Sequence, residues 1–413
     1  MKKLLLILAL ALPLAAGCDK KDETPTTDKP NPDTEQPTPQ PPDEPGPDNP
    51  PERKEPEPVV YPEPFLVTSE IIMQFIQNVT YDERDYSYTH VTDAEYAPYG
   101  APGEADLPPV VPVSWEVTEE DGPLTLNLSD GEWSYDIDLP AGTSSYNLTN
   151  LVPGRDYTYT VTRKEDGTKV GLGSFSTIGL IHQVFFHSRV RNARDLGGWP
   201  TTDGKKVKYR KLYRGGDITS SRLNNKGITE MLNEGIRAEI DLRESKDLES
   251  SSSRLGKDIA FYNANMSKGY GGLIRDYPGK VAATFTFAVK CLREGKPIYF
   301  HCSIGRDRTG TMAALFLGLL GVSESDISKE YELLFFSPAD WSLNGGKTEF
   351  DYSRVKQYGH RYTCDTLWQL GGKALGVSDN DTSVSFARRI EAYLLSNGVA
   401  QQDIDDFRSL MLE

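Results

Sequence analysis

The order of apolar and polar residues divides the chain into four parts. Residues 4–14 are an unbroken apolar run, whereas residues 19–64 carry no periodic apolar pattern. Over residues 65–178 apolar and polar positions alternate in short runs. From residue 179 to residue 413, short continuous apolar runs alternate with segments of helical spacing. We therefore predict a signal segment, an extended linker, an all-β domain and an α/β domain, in this order.

The all-β prediction depends on runs separated by turn signals. Asp130-Gly131 and Asp166-Gly167 mark two of the turns. The runs themselves are VPVSWEV from Val111, LTLNL from Leu124 and WSYDIDL from Trp133.

A later stretch carries a family resemblance. In YNLTNLVPGRDYTYTV, from Tyr146, a tyrosine follows a Leu-x-Pro-Gly turn. This resembles fibronectin type III domains, which also place a tryptophan on an early strand. The resemblance implies a β-sandwich with Trp115 and Tyr157 in its core. Both a binding module and a passive spacer remain open as its role.

The α/β prediction rests on strands and helices in alternation. RAEIDL from Arg237 and PIYFH from Pro297 are typical of buried strands. Thr309 to Leu320 is apolar on every side, which predicts a buried helix ending at Gly321. Amphipathic helices are predicted around Phe285 and Ile390. The predicted fold class is multidomain, an all-β sandwich followed by an α/β domain.

Composition narrows the functional classes. The 413 residues suffice for two or three domains, and 37% hydrophobic with 26% charged residues fits folded, soluble domains. The formal net charge of -16 argues against non-specific nucleic-acid binding, which needs clustered Lys and Arg. A local basic site would therefore point to a specific anionic partner.

The four cysteines need separate explanations. Cys18, Cys291, Cys302 and Cys364 are too few for a disulfide scaffold in a chain of this length. None has zinc-ligand spacing, so we predict no metal site and no cofactor. Cys291 and Cys364 are expected to be ordinary buried thiols.

The N-terminus predicts export. Residues 1–18 have a basic start and an apolar run too short to span a bilayer. The run ends in Leu14-Ala-Ala-Gly-Cys18, which resembles a bacterial lipoprotein box. The resemblance implies that Cys18 is acylated and anchors the protein to a bacterial membrane, at its periplasmic or cell-surface face. The alternative is a plain secretory signal cleaved near Ala16 or Gly17. Residues 19–64 hold more than half of the 28 prolines, as an extended linker would.

The candidate chemistry lies in HCSIGRDRTG, residues 301–310, between a predicted strand and a predicted helix. Backbone N–H groups of such a loop can converge on one anion. They would also lower the pKa of Cys302, so that it is a thiolate at neutral pH. Arg308 can hold two phosphate oxygens in a planar fork. The predicted phosphate-binding residues are Ser303, Ile304, Gly305, Arg306, Asp307 and Arg308.

This loop resembles the Cys-x5-Arg-Thr signature of tyrosine and dual-specificity phosphatases. RDLGG from Arg194, LYRG from Leu212 and IDLR from Ile240 precede it. Together they resemble the bacterial tyrosine phosphatases with an HCxxGKDRTG loop, which act on phosphotyrosine and on phosphoinositides. The resemblance runs from about Arg191 to the C-terminus. Arg306 departs from it, because that loop usually has lysine there.

The family mechanism assigns roles to the loop. Cys302 would attack phosphorus and form a phosphocysteine, while Arg308 and the loop amides stabilise the charge. Thr309 could hydrogen-bond the sulfur and ease its departure. The loop supplies the positive charge, so the mechanism needs no metal.

Two aspartates compete as general acid. Asp307 lies within the loop, where the family places its proposed acid, and we favour it. Asp241 ends a strand, where catalytic residues of α/β folds often lie. Asp241 could instead be a structural partner of Arg243 or Arg194.

Three functions follow. The leading prediction is a protein tyrosine phosphatase whose partner is a phosphorylated peptide or protein. The closest alternative keeps the mechanism and acts on phosphoinositides or inositol phosphates, which the second arginine, Arg306, would suit. An alternative of another class is a non-catalytic phosphate-binding or adhesion lipoprotein that works through its β domain.

Overall fold

The computed structural model describes residues 54–81, 107–336 and 360–413. The predicted signal segment, with Cys18, lies outside the described residues, as does most of the predicted linker. The described elements belong to a β-rich part and an α/β part, as the alternation of apolar runs predicts. In the part of the chain that the structure describes, no helix is long and apolar enough to cross a membrane.

The β-rich part consists of strands in two sheets. The larger sheet has the order β1-β8-β7-β4-β5, with β2 also paired to β8, and the smaller one pairs β3 with β6. Alternate side chains of β4 and β7 are buried, because one face of the sheet covers the core. The strands predicted from Val111, Leu124 and Trp133 are all present. The strands are β1 (Val59–Val60), β2 (Phe65–Leu66), β3 (Val111–Ser114), β4 (Leu124–Ser129), β5 (Ser134–Leu139), β6 (Ser145–Leu148), β7 (Asp156–Arg163) and β8 (Lys169–Ile178).

Two predicted boundaries need correction. The linker predicted over residues 19–64 extends too far, because β1 at Val59–Val60 pairs with Gly173 and Ser174 of β8. The all-β range 65–178 also contains a helix, α1 (Glu70–Asn78). Its sequence EIIMQFIQN places apolar residues at helical spacing, and its buried face packs in the core of the α/β part.

The α/β part is built on a five-stranded sheet with the order β12-β11-β13-β10-β9. All neighbours are parallel except β9, which is antiparallel to β10. The central strands β10, β11 and β13 are buried at every position, which explains their continuous apolar sequences. The strands are β9 (Arg194–Asp195), β10 (Leu212–Gly215), β11 (Ala238–Asp241), β12 (Ala260–Asn263) and β13 (Ile298–His301).

Helices enclose this sheet. Helix α5 buries eleven consecutive residues, Thr309 to Leu319, as the apolar run predicts. Helix α4 buries Val281, Phe285, Ala288 and Leu292, the positions at helical spacing. The helices are α2 (Asn225–Asn233), α3 (Tyr270–Asp276), α4 (Pro278–Arg293), α5 (Asp307–Leu319), α6 (Glu324–Glu332), α7 (His360–Leu375), α8 (Phe386–Ser396) and α9 (Gln401–Met411).

The two parts contact each other through polar side chains. The Arg210 guanidinium lies 3.7 Å from the centre of the Trp133 ring and donates to the Asp130 carboxylate at 2.7 Å. His182 Nε2 lies 2.9 Å from the Asn150 carbonyl oxygen. Arg210 and His182 belong to the α/β part, and the residues they contact belong to the β-rich part. Because these hydrogen bonds and the ring contact need defined geometry, the contact between the two parts is specific.

The parallel register brings the candidate residues together. His301, at the end of β13, is paired with Gly215 of β10 on one side and with Asp241 of β11 on the other. The carboxyl ends of three buried strands therefore meet at one edge of the sheet. In open α/β sheets, ligands bind at this edge.

Candidate active site

The candidate loop connects β13 to α5, as predicted. Its conformation requires glycine at position 305, where φ is +73° and a Cβ would lie 2.4 Å from the carbonyl carbon of Gly215. The Gly305 carbonyl accepts hydrogen bonds from Asn192 Nδ2 at 2.7 Å and from Arg214 Nη2 at 2.5 Å. The loop is thus tied to the neighbouring strand β10 and to the segment before β9.

A buried ion triad lies beneath this contact. Glu330 of α6 accepts from Arg194 Nε through one carboxylate oxygen and from Arg214 Nη1 through the other, each at 2.7 Å. Burial alone would raise the pKa of Glu330, but the two arginines outweigh it and the pKa is lowered. Sequence reasoning found both arginines as parts of motifs and missed Glu330 and Asn192. No local signal could have identified them, because Glu330 lies 136 positions from Arg194.

The Cys302 thiol has the environment of a nucleophile. Burial acts to raise its pKa, but the nearby Thr309 hydroxyl and N–H, the charge of Arg308 and the Ile304 N–H outweigh burial. The net effect is a lowered pKa, which favours the thiolate. The Thr309 hydroxyl is fully buried and has no nitrogen or oxygen partner among the described residues, so it is available to the sulfur.

Arg308 lies across the loop. Its Nη1 donates to the Met266 carbonyl at 2.8 Å, just after β12, and its Nη2 lies 3.4 Å from Ser303 Oγ. Ser303 is exposed and Ile304 is half-buried at the same surface. The structure thus brings the predicted phosphate-binding residues 303–308 around Cys302, in a single turn of chain before and at the start of α5.

The two candidate acids have different environments. Asp307 is half-exposed, and its Oδ1 accepts from the Tyr270 hydroxyl and, at 3.0 Å, from Arg306 Nε. Asp241 is 1% exposed and is paired through both oxygens with Arg243, at 2.7–3.1 Å. The geometry therefore favours Asp307 as the acid, and the contacts of Asp241 are those of a structural partner.

His301 forms part of a buried charge cluster. Its Nε2 lies 3.0 Å from Glu239 Oε1, and its Nδ1 lies 3.3 Å from the Cys302 carbonyl oxygen. Burial acts to lower the pKa of His301, but Asp241 and Glu239 outweigh it and raise the pKa to about 9. The imidazolium thus holds the strand end that precedes the nucleophile.

The same cluster is a group of potential metal ligands. Ligand atoms of Glu239, Asp241 and His301 all lie within 4.8 Å of one another. However, Asp241 is already neutralised by Arg243 and Glu239 by the protonated His301. Arg243 and His301 thus supply the positive charge that a bound cation would supply to the two carboxylates. That the site needs no metal remains a prediction.

Comparison with known proteins assigns the family. The family model described as "Tyrosine phosphatase family" matches residues 187–413, which is more than half of the chain. The chain belongs to the tyrosine phosphatase family. The family resemblance seen in the loop and in the RDLGG and LYRG motifs is confirmed.

The chain is also similar, at low sequence identity, to a curated protein. A Cupriavidus necator protein, named provisionally as a tyrosine-protein phosphatase, is 26% identical over 176 residues. These residues are 36% of this chain, and they span 62% of the length of that curated relative.

Two solved proteins illustrate the structural similarity. The catalytic core of the Saccharomyces cerevisiae PP-IP phosphatase Siw14 is 18% identical, covering 37% of this chain and 86% of that one, with a TM-score of 0.25. Pseudomonas aeruginosa TpbA is 14% identical, covering 47% and 89%, with a TM-score of 0.27. With scores of this size, the family assignment rests on the match over residues 187–413.

Proposed function

We propose that the protein is a phosphomonoester hydrolase that works through a cysteinyl-phosphate intermediate. The observation that carries the proposal is the Cys302 thiol of lowered pKa, beside Arg308 and Thr309 in a strand–loop–helix of phosphatase-family sequence. A thiolate held among N–H donors and a guanidinium is prepared both to bind a phosphate dianion and to attack it.

The residues support a two-step mechanism. In the first step Cys302 Sγ attacks phosphorus, the bond from phosphorus to the leaving oxygen breaks, and Asp307 donates a proton to that oxygen. Arg308 and the loop amides stabilise the charge on the remaining oxygens. In the second step Asp307 takes a proton from water, the water oxygen attacks phosphorus, and the sulfur leaves as a thiolate bonded by Thr309.

The substrate we propose is phosphotyrosine in proteins or peptides. The family name supports it, and so does the pairing of Arg306 with Asp307 at 3.0 Å. This pairing neutralises the positive charge of one of the two loop arginines. The loop therefore attracts a multiply charged inositol phosphate less strongly than two unpaired arginines would. Phosphoinositides and inositol phosphates remain the alternative, since Arg306 can turn to a second phosphate if it leaves Asp307.

A substrate panel tests this function on the full-length protein in detergent. We expect hydrolysis of p-nitrophenyl phosphate that is undiminished by EDTA, and kcat/KM for a phosphotyrosine peptide at least about tenfold above that for inositol hexakisphosphate, a difference of ~1.4 kcal/mol. Acid quenching during turnover should trap phosphate on Cys302. The reverse preference would favour the inositol-phosphate alternative. Absence of turnover on every substrate would leave the non-catalytic phosphate-binding or adhesion function.

We also infer that the β-rich part is a fibronectin type III-like sandwich. Its two sheets of mainly antiparallel strands support this, together with the burial of Trp115 and Tyr157 in one core. The Tyr157 hydroxyl accepts from the Val152 N–H at 3.0 Å, five residues upstream, as a tyrosine corner does. The polar contact of Arg210 with Asp130 and Trp133 favours a module fixed to the α/β part over a free spacer.

We propose further that Cys18 carries lipid and anchors the protein to a bacterial membrane. The support is the sequence before Cys18 and the proline-rich stretch after it. Cells fed radioactive palmitate should label the wild-type protein, and the Cys18→Ala variant should carry less than about a tenth of that label, because a single acylated residue holds the chains. Label that persists in the variant at the wild-type level would contradict the anchor. A Cys291→Ala variant is the matched control and should label normally.

A further inference from the structure

The hydrogen bonds of Asp307 are unevenly divided between its two oxygens. The Tyr270 hydroxyl and Arg306 Nε both donate to Oδ1. Oδ2 has no hydrogen bond to any residue within the described ranges. One oxygen is thus occupied by two donors, and the other is open to bind or release a proton.

This division matches what a general acid needs. A carboxylic acid transfers its proton through one oxygen, and negative charge develops on the carboxylate as the proton leaves. Donors already placed on the second oxygen stabilise that charge without reorganising, and they hold the plane of the carboxyl group. We propose that Tyr270 is a positioning residue that orients Asp307, so that Oδ2 faces the leaving oxygen of the substrate. The inference rests on the proposed phosphatase function and on Asp307 as its acid.

Tyr270 is held firmly in place to do this. Its backbone N–H donates to Thr311 Oγ1 at 2.8 Å, and Thr311 Oγ1 donates to the Asp307 carbonyl at 2.8 Å. Gly269 lets the two segments approach, because a Cβ there would lie 2.7 Å from the Asp307 Cβ. The first residue of α3 is therefore attached to the first turn of α5, which carries the acid.

The Tyr270 hydroxyl also remains a donor. Burial raises the pKa of Tyr270, and its bond to Asp307 raises it further, so the phenol is neutral at physiological pH. The Tyr331 hydroxyl lies 3.3 Å from it. Arg306 is the second donor to Asp307, but an arginine change would also alter the charge of the loop. Tyr270→Phe removes a single hydroxyl and leaves the charge unchanged.

The experiment compares two leaving groups on full-length enzyme. Phenyl phosphate needs protonation of its leaving oxygen, whereas p-nitrophenyl phosphate needs it far less. We expect Tyr270→Phe to lower kcat/KM, which reports the first step and not hydrolysis of the shared intermediate, for phenyl phosphate by about ten- to a hundredfold, as loss of a charge-assisted hydrogen bond would. For p-nitrophenyl phosphate we expect a change below about threefold. The ratio of the two rates does not depend on the fraction of enzyme that is folded, so a partly folded variant still gives an answer.

Three further variants complete the test. Asp307→Asn should show the same selectivity more strongly, and adding Tyr270→Phe to it should cause no further selective loss, because the hydroxyl acts through the carboxyl group. Tyr277→Phe is the matched control: it removes a hydroxyl that contacts Ser267 at 2.6 Å, just beyond the other end of α3. It should leave both rates near wild type.

The outcomes separate the inference from the function. An equal loss on both substrates in Tyr270→Phe would show a structural role only and overturn the inference. Asp307→Asn without selectivity would overturn it as well, while leaving a cysteine phosphatase with another acid. Phosphatase activity that survives loss of the Cys302 thiol, or absence of turnover on every substrate, would refute the proposed function itself.

Discussion

Replacing Cys302 by serine should lower kcat for p-nitrophenyl phosphate by at least about 10⁴-fold, the order of loss seen when an enzyme nucleophile is removed. The reason is that a serine hydroxyl is not ionised at neutral pH, whereas the contacts of Thr309, Arg308 and Ile304 lower the pKa of the Cys302 thiol. The same contacts should still bind phosphate in the variant. The measurement is an initial-rate assay, with circular dichroism to confirm that the variant is folded.

A chemical test of the thiolate accompanies this prediction. Iodoacetate at about pH 6.5 should alkylate Cys302 in the wild-type protein, and inorganic phosphate should slow the reaction because it occupies the same loop. Cys291 is an internal control. Burial, with the nearby charge of Glu294, raises the pKa of Cys291 to about 11, so it should stay unmodified. Alkylation of both cysteines at equal rates, or Cys302→Ser with near wild-type activity, would contradict Cys302 as the nucleophile.

The candidate loop could be predicted from the sequence because its information is local. HCSIGRDRTG contains the nucleophile, the arginine and the glycine that the turn needs, and the apolar runs on either side define the strand and the helix. Strands such as β4 and β7 were equally predictable, because one buried face imposes alternation. Helix α1 departs from the prediction, because its nine residues lie at the start of the range 65–178, whose later runs alternate as strands do.

The groups that support the loop could not be predicted, because they come from distant parts of the chain. Asn192 and Gly305 are 113 positions apart, and Tyr270 and Asp307 are 37 apart. The spacing of residues along the sequence does not indicate that such distant residues are in contact. For the same reason the sequence favours Asp307 over Asp241 only through the family resemblance, and it does not show that Asp241 is buried and paired with Arg243.

The supporting triad leads to the second prediction of large effect. Glu330→Gln should lower the free energy of unfolding by about 3–5 kcal/mol, because it leaves Arg194 and Arg214 buried without their counter-charge. The Arg214 contact with the Gly305 carbonyl would weaken with it. Urea unfolding followed by tryptophan fluorescence measures the change. Since the pKa of Glu330 is lowered, its contribution is present above the unfolded pKa of about 4.5 and is lost as pH falls through the folded value.

Helix α6 supplies a matched control two residues away. Glu332 is also buried, but it has no charged partner among the described residues, and burial raises its pKa well above the usual range. A raised pKa gives stability that is present below about pH 4.5 and lost as pH rises. At pH 7 the buried carboxyl group of Glu332 therefore lowers the free energy of unfolding. Glu332→Gln removes this carboxyl group, so at pH 7 it should raise the free energy of unfolding, on the order of 1 kcal/mol. The same isosteric change at two positions of one helix is thus expected to change the free energy of unfolding in opposite directions. Equal destabilisation by both variants would mean that Glu330 matters for its packing and not for the charge that it places between Arg194 and Arg214.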